Sequence, residues 1–334
     1  MVLMKVMEIR NKRFLVTGGT GFIGSALVKG LLDAGSIVRS LDNESRGTRD
    51  RLGAHAEKIE LIKGDIRDAT VVRKAVAGVD CVCHLAYING TEFFYEKPDL
   101  ILEVAVKGMM NVLDACVSEG VKNLVLASSS EVYQLPPTVP TDETAPLSVP
   151  DVLNPRYSYG GGKIISELLT INYGRKHFER AVIFRPHNVY GPSMGWEHVV
   201  PQFALRMNDL AADSHGSIDF PIQGTGEETR SFIYIDDFVE ALLRVIEGGE
   251  HMGIYHIGTS HEVSIKQLAE MVAACFEREI RIVPGELLKG STPRRCPDVA
   301  KLSRLGFTPN IDLATGLART VAWYRENITF KNSK

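Results

Sequence analysis

The hydrophobic pattern of the first half of the chain switches between two periods. Short apolar, β-branched runs stand at 13–18 (RFLVTG), 36–42 (SIVRSLD), 58–65 (KIELIKGD), 81–87 (CVCHLAY), 121–129 (VKNLVLASS) and 180–186 (RAVIFRP). Runs of this length bounded by turn residues predict strands. Between them, 21–35, 100–120 and 159–177 carry apolar residues at helical spacing. Such alternation predicts parallel strands joined by right-handed crossovers, an α/β doubly wound sheet. After Pro186 the rhythm loosens. Residues 191–226 read as loops with short helices, 231–247 as a compact strand–helix unit, and 264–324 as helices with Pro- and Gly-marked loops.

Composition narrows the function classes. The chain has 334 residues, 44% hydrophobic and 24% charged, as expected of a folded protein of one large or two medium domains. Its 41 acidic and 38 basic residues leave a net charge of -3, so there is no positive field for a nucleic-acid backbone. No apolar run approaches the roughly 18 residues of a membrane span. The opening MVLMKVMEIRNKR is interrupted too soon by charge for a signal peptide. Five cysteines show no paired metal spacing; Cys81, Cys83, Cys116 and Cys275 lie in apolar segments and are expected buried and reduced. His187 and His198 have no carboxylate or cysteine at ligand spacing, so no metal is expected. These readings predict a soluble cytoplasmic protein with neither nucleic acid nor membrane as partner.

The first strand runs into TGGTGFIGS, where Gly18, Gly21 and Gly24 are spaced three apart at a strand-to-helix turn. Gly18 permits the turn, Gly21 admits a pyrophosphate to the backbone, and Gly24 lets the helix pack on the strand. The helix N-terminus adds free N–H groups and a positive dipole. Asp42 closes the second strand, where a carboxylate accepts from an adenosine ribose diol and repels a 2′-phosphate. This context selects NAD over NADP. Asp65, ending the third strand, contacts the adenine or is a solvated loop aspartate.

Tyr159 and Lys163 lie four apart on a predicted helix and so share one face. A nearby ammonium and the charge of a nicotinamide would lower the tyrosine's pKa toward neutrality. The fifth strand ends in Ser128, Ser129 and Ser130, hydroxyls able to hold a substrate oxygen against that phenol. His84 reads as a hydrogen-bonded strand residue.

In their order, TGGTGFIGS, HLA (84–86), SSSEVY (128–133), YGGGK (159–163), RPHNVYGP (185–192) and GTGEETRSFIYIDD (224–237) resemble the extended short-chain dehydrogenase/reductase family of nucleotide-sugar epimerases and dehydratases. The resemblance spans about residues 12–325. It implies a Rossmann domain for NAD over 1–190, with a return segment at 231–260. It also implies a smaller, mainly helical nucleotide-sugar domain from 191–230 and 261–330. Carried over by position, it implies Tyr159 as acid/base, Lys163 as its electrostatic helper and nicotinamide-ribose ligand, and Ser129 as hydroxyl partner. Phe22, Ile23, Ile66, Leu85 and Ala86 are implied as cofactor contacts beside the glycines, Asp42 and Asp65. Ser129 and Ser130 are implied as substrate contacts, Asn188 near the sugar diphosphate, and Arg230 and Arg295 on its phosphates. A homodimer through helices at about 100–118 and 159–177 is a further expectation of this kind.

Three features depart from the family pattern. Gly160, Gly161 and Gly162 fill a helix turn that usually holds a bulkier residue or serine, and each glycine weakens a helix by roughly 1 kcal/mol relative to alanine. Close approach of cofactor or substrate is one explanation. His187 stands where an aromatic is common, and Tyr87 replaces the usual alanine, narrowing the pocket over the nicotinamide.

Family members begin alike, with phenolate taking the C4 hydroxyl proton while hydride passes to NAD. A 4-epimerase needs no further acid or base, and this is the reading placed first. Glu131 matches the glutamate of 4,6-dehydratases and uronate decarboxylases, which gives the alternative. Ser130 breaks the Asp–Glu pair of one dehydratase group. A non-catalytic NAD-binding sensor is the reading from another class; such relatives usually lack the tyrosine or lysine, and both are present here.

Overall fold

The computed structural model describes residues 7–213, 216–286 and 292–328. Its centre is a seven-stranded sheet of β1 (Arg13–Thr17), β2 (Ile37–Asp42), β3 (Glu60–Lys63), β4 (Cys81–His84), β5 (Asn123–Ala127), β6 (Arg180–Pro186) and β7 (Gly253–Ile257). The spatial order is β7-β6-β5-β4-β1-β2-β3 and every pairing is parallel. Helices α1 (Phe22–Asp33), α2 (Ala69–Val76), α3 (Met109–Ser118), α4 (Ser158–His177) and α5 (Ile235–Gly248) cover the two faces. In β1, Phe14 and Val16 join one buried cluster and Leu15 the other, as period-two alternation in a doubly covered strand requires. The order reverses between β1 and β4, so the crevice beyond their carboxyl ends is the place for a ligand.

Residues 98–118 form one helical run whose middle, Val104–Gly108, is a π turn. There the Ser166 hydroxyl of α4 donates to the Ala105 carbonyl at 3.3 Å. The return of the chain to the sheet is fastened by Arg180, buried at the start of β6. Its guanidinium donates to the carbonyls of Gly249 (2.6 Å) and Val245 (2.8 Å) at the end of α5. Gly249 caps that helix, its own N–H donating to the Val245 carbonyl at 2.9 Å, so Arg180 adds a second donor there.

The later segments add a 15-residue helix, Val199–Asp213, longer than the short helices expected there. They also add three small sheets, one of them Val189–Tyr190 paired with Ile233–Tyr234. Ile218–Ile222 pairs with Ile280–Pro284, and Thr229–Ser231 with Glu262–Ser264 and Arg294–Arg295. Two of these strands lie in the tail expected to be helical, and their partners are distant in sequence, so local pattern does not reveal them. The cluster that holds α1 and α5 continues into this part through Phe203, Phe220, Leu268 and Leu317. Among the described residues no helix is long and apolar enough to cross a membrane. All five cysteines are free, with Cys296 buried and Cys275 only half-buried, the reverse of what flanking hydrophobicity suggested for Cys275.

Candidate active site

The carboxyl ends of β1, β2, β4 and β5 open onto a cavity of about 720 Å³. Gly18, Gly21, Phe22, Ile23, Gly24, Asp42, Asp65, Ile66, Leu85 and Ala86 line one end of it, and Ser129, Ser130, Glu131, Tyr159, Lys163, Asn188 and Arg295 line the rest. Gly18 has φ +75°, and a Cβ there would meet the Ala86 backbone at 2.9 Å. A Cβ on Gly24 would collide with the Gly18 carbonyl. The N-terminus of α1 carries no side-chain cap, which leaves it open to an anion. Asp42 accepts from the N–H groups of Thr20 (2.9 Å) and Glu44 (2.8 Å), which fixes its carboxylate at the end of β2. These features fit a dinucleotide. Asp65 is held by Arg67 and Asn43, and the Arg67 hydrogen bonds bring its pKa down to about 2.

Arg230 is the exception among the expected site residues: it does not line the cavity. Its guanidinium is engaged by the carbonyls of Thr229 and Thr292, both at 2.7 Å, and burial lowers its pKa to about 10. Asn188, with φ +41°, donates its amide to the Ser231 carbonyl at 2.7 Å.

Tyr159 lies in an aromatic box, stacked on Phe94 at 4.9 Å and edge-on to Tyr87 at 5.2 Å. Burial pushes its pKa up to about 12, while a hydrogen bond from Ser129 pulls the other way. Burial against the aromatic walls outweighs the Ser129 hydrogen bond and the Arg295 charge; the lowered value expected from the sequence invokes the charge of a nicotinamide as well. Lys163 donates to the Ala127 carbonyl at 2.7 Å and sits 3.7 Å over the Tyr87 ring. Burial brings its pKa down to about 7, opposed by Glu167 one turn on. Glu167 is itself buried, paired with Arg185 at 2.6 Å and hydrogen-bonded by Ser128. His84 takes its expected strand role, with Nδ1 2.8 Å from the Thr17 hydroxyl.

Glu131 accepts from Arg295 Nη1 at 2.6 Å. Burial alone would raise its pKa, but Arg295, with Arg156 and Arg230 further off, holds it below the usual carboxylate value. Arg156 also lines the cavity, and the sequence reading missed it. Its signal was position alone, three residues before Tyr159.

The glycine run has a different cause from the one expected. A Cβ on Gly160 would lie 2.7 Å from Gln134 Nε2 and 2.9 Å from the Glu131 carbonyl oxygen. One on Gly162 would collide with the Tyr87 hydroxyl and lie 2.7 Å from Ala105 Cβ. The protein's own groups fill the space, and only Gly161 has room, with Val149 at 3.5 Å.

A doubly wound sheet with a glycine turn, an aspartate closing its second strand and a tyrosine–lysine pair defines an extended short-chain dehydrogenase/reductase. The chain belongs to the NAD-dependent epimerase/dehydratase family, whose model matches residues 14–258. It is 31% identical to the UDP-N-acetyl-alpha-D-glucosaminuronate decarboxylase of Bacillus cytotoxicus, over 95% of this chain and 98% of that one. The dTDP-glucose 4,6-dehydratase of Streptomyces venezuelae, solved with NAD bound, superposes with a TM-score of 0.84 at 31% identity, covering 95% and 98% of the two chains. The UDP-glucose 4-epimerase of Thermotoga maritima, solved with UDP-glucose, superposes at 0.83 with 27% identity, covering 95% and 99%. The chain is thus an NAD-dependent enzyme of a family whose members epimerise, dehydrate or decarboxylate nucleotide sugars.

Proposed function

We propose that this chain acts on a nucleotide-diphosphate hexuronate, oxidising C4 transiently and releasing the C5 carboxylate as CO2. The observation that carries the reading is Glu131, half-buried beside Tyr159, held ionised by Arg295 and flanked by further arginines. A simple 4-epimerase has no use for such a group. Bound NAD supplies the hydride acceptor and donor at C4.

Tyr159 takes the C4 hydroxyl proton once the charges of Lys163 and the cofactor bring its pKa down from about 12. A ketone at C4 makes the C5 carboxylate of a hexuronate a β-keto acid. Loss of CO2 leaves an enolate that needs one proton at C5. Glu131 gives that proton when Arg295 turns toward the diphosphate, because a desolvated carboxyl without its arginine rises in pKa. Tyr159 returns its own proton to the C4 oxygen. The balance is one hexuronate and one proton in, one pentose and one CO2 out. In this reading residues 1–190 and 231–260 carry the cofactor, and 191–230 with 261–330 carry most of the sugar nucleotide.

The second reading is C4 epimerisation, for which Ser129, Tyr159 and Lys163 suffice without Glu131; Ser130 in place of a second acid disfavours dehydration. Incubation with UDP-, GDP-, dTDP- and CDP-linked hexuronates and hexoses decides between them. Release of CO2 supports the proposal, and a C4 epimer of unchanged mass replaces it. Loss of water indicates dehydration; no turnover with NAD retained indicates a sensor. Glu131→Gln is expected to slow decarboxylation by about 10²–10³, within the range for a lost acid/base group. A loss of less than about threefold would remove Glu131 from the mechanism.

The outer faces of residues 98–118 and α4 expose Leu102, Val106, Val117, Ile165 and Leu168. They support the expected homodimer; sedimentation as a monomer at micromolar concentration counts against it.

A further inference from the structure

Three arginines surround the single carboxylate of Glu131, and they differ in what already holds them. Arg230 is engaged by backbone carbonyls and does not line the cavity. Arg295 is engaged by Glu131 and by the Thr292 hydroxyl at 3.1 Å. Arg156 lines the cavity, yet among the described residues its guanidinium has no hydrogen-bond or ion-pair partner. Its Nε is buried and unpartnered. A buried guanidinium N–H without an acceptor is costly, and this side chain cannot relieve the cost by losing its proton. Such a group is made for a ligand.

Its place in the chain says which part of the ligand. Arg156 stands on the Pro155–Tyr157 3-10 turn, which leads directly into α4 and Tyr159. The turn is pinned because the Arg156 N–H donates to the Asn154 side chain at 3.0 Å. The Arg156 charge is felt at Glu131, which in turn is felt at Tyr159. The reacting C4 oxygen must meet Tyr159, so the substituent on the neighbouring C5 lies close by in the cavity that Arg156 also lines. A guanidinium fork there matches a planar carboxylate with two parallel hydrogen bonds.

We infer that Arg156 is the specificity-determining anchor for the carboxylate on C5 of the sugar, distinct from the groups that meet the diphosphate. The assignment rests on the nucleotide-hexuronate reading of this cleft. It is tested by binding rather than turnover, in NAD-loaded protein carrying Tyr159→Phe so that the ligand persists.

Calorimetric titration of that protein with UDP-glucuronate and with UDP-glucose is expected to show the uronate bound at least about tenfold more tightly. Adding Arg156→Gln should remove this preference while leaving the affinity for UDP-glucose within about twofold. Arg156→Lys should restore it only in part, since an ammonium lacks the fork. Equal losses for both ligands would place Arg156 on the phosphates and overturn the assignment. So would an unchanged preference in Arg156→Gln, or a parent protein that does not prefer the uronate. Selective uronate binding by a wild-type protein that releases no CO2 sinks the decarboxylase reading and leaves this one standing.

Discussion

Replacing Lys163 by Met is expected to abolish turnover and, at the same time, to stabilise the cofactor-free protein. The first effect follows from losing the charge that helps the Tyr159 phenolate, a loss of about 10²–10⁴ in rate. The second follows from burial, which brings the ammonium down from 10.5 to about 7. Every tenfold weakening of proton affinity corresponds to about 1.4 kcal/mol. After the lost contacts with the Ala127 carbonyl and the Tyr87 ring are set against it, a gain on the order of 2–4 kcal/mol remains. Its pH dependence has a definite sign. Below about pH 7 both folded and unfolded chains carry the proton, and the full penalty of burying it applies. Between about pH 7 and 10.5 the folded protein sheds that proton first, so wild-type stability climbs and the advantage of the variant fades. Thermal melts of the two cofactor-free proteins near pH 6 and near pH 10 check this. A variant that melts below wild type near pH 6 would show that the lysine is a net structural support.

Gly162→Ala should be damaging, although alanine is the better helix former. The added carbon has no room between the Tyr87 hydroxyl and Ala105, which sits on the π turn of the neighbouring helix. Relief requires moving Tyr87, and with it the ring under the Lys163 ammonium. A loss of about 1–3 kcal/mol in stability is expected, with activity falling by tenfold or more. Gly161→Ala is the matched control: its methyl meets only Val149 at ordinary distance, so a gain of up to about 1 kcal/mol is expected. Denaturant melts of the two variants should move in opposite directions, and a shared sign would refute the steric account.

What the sequence made legible is what is local. The glycine turn, Asp42 at the end of β2 and the Tyr159–Lys163 spacing each depend on neighbours a few residues away, and all stand where their pattern put them. What it hid depends on distant segments meeting. Arg230 was assigned to phosphates by its place in a motif, but the carbonyl that engages it belongs to Thr292, far along the chain. The glycine run looked like room for a ligand because Tyr87 and Ala105 reach it from two other elements. The raised pKa of Tyr159 comes from Phe94 and Tyr87, which no helical spacing could announce.

The fastening of Arg180 to the end of α5 bears on where this chain can be divided. Residues 1–190 look like a self-contained nucleotide-binding half, yet β7 and α5 come from beyond them. A fragment ending there would leave β6 as a bare sheet edge, an open template for pairing with other chains. It would also strand a buried guanidinium without the carbonyls of Val245 and Gly249. The first 190 residues are therefore not a portable module: their sheet is completed only after the chain has run through residues 191–252, and the two parts can be inherited or exchanged only together.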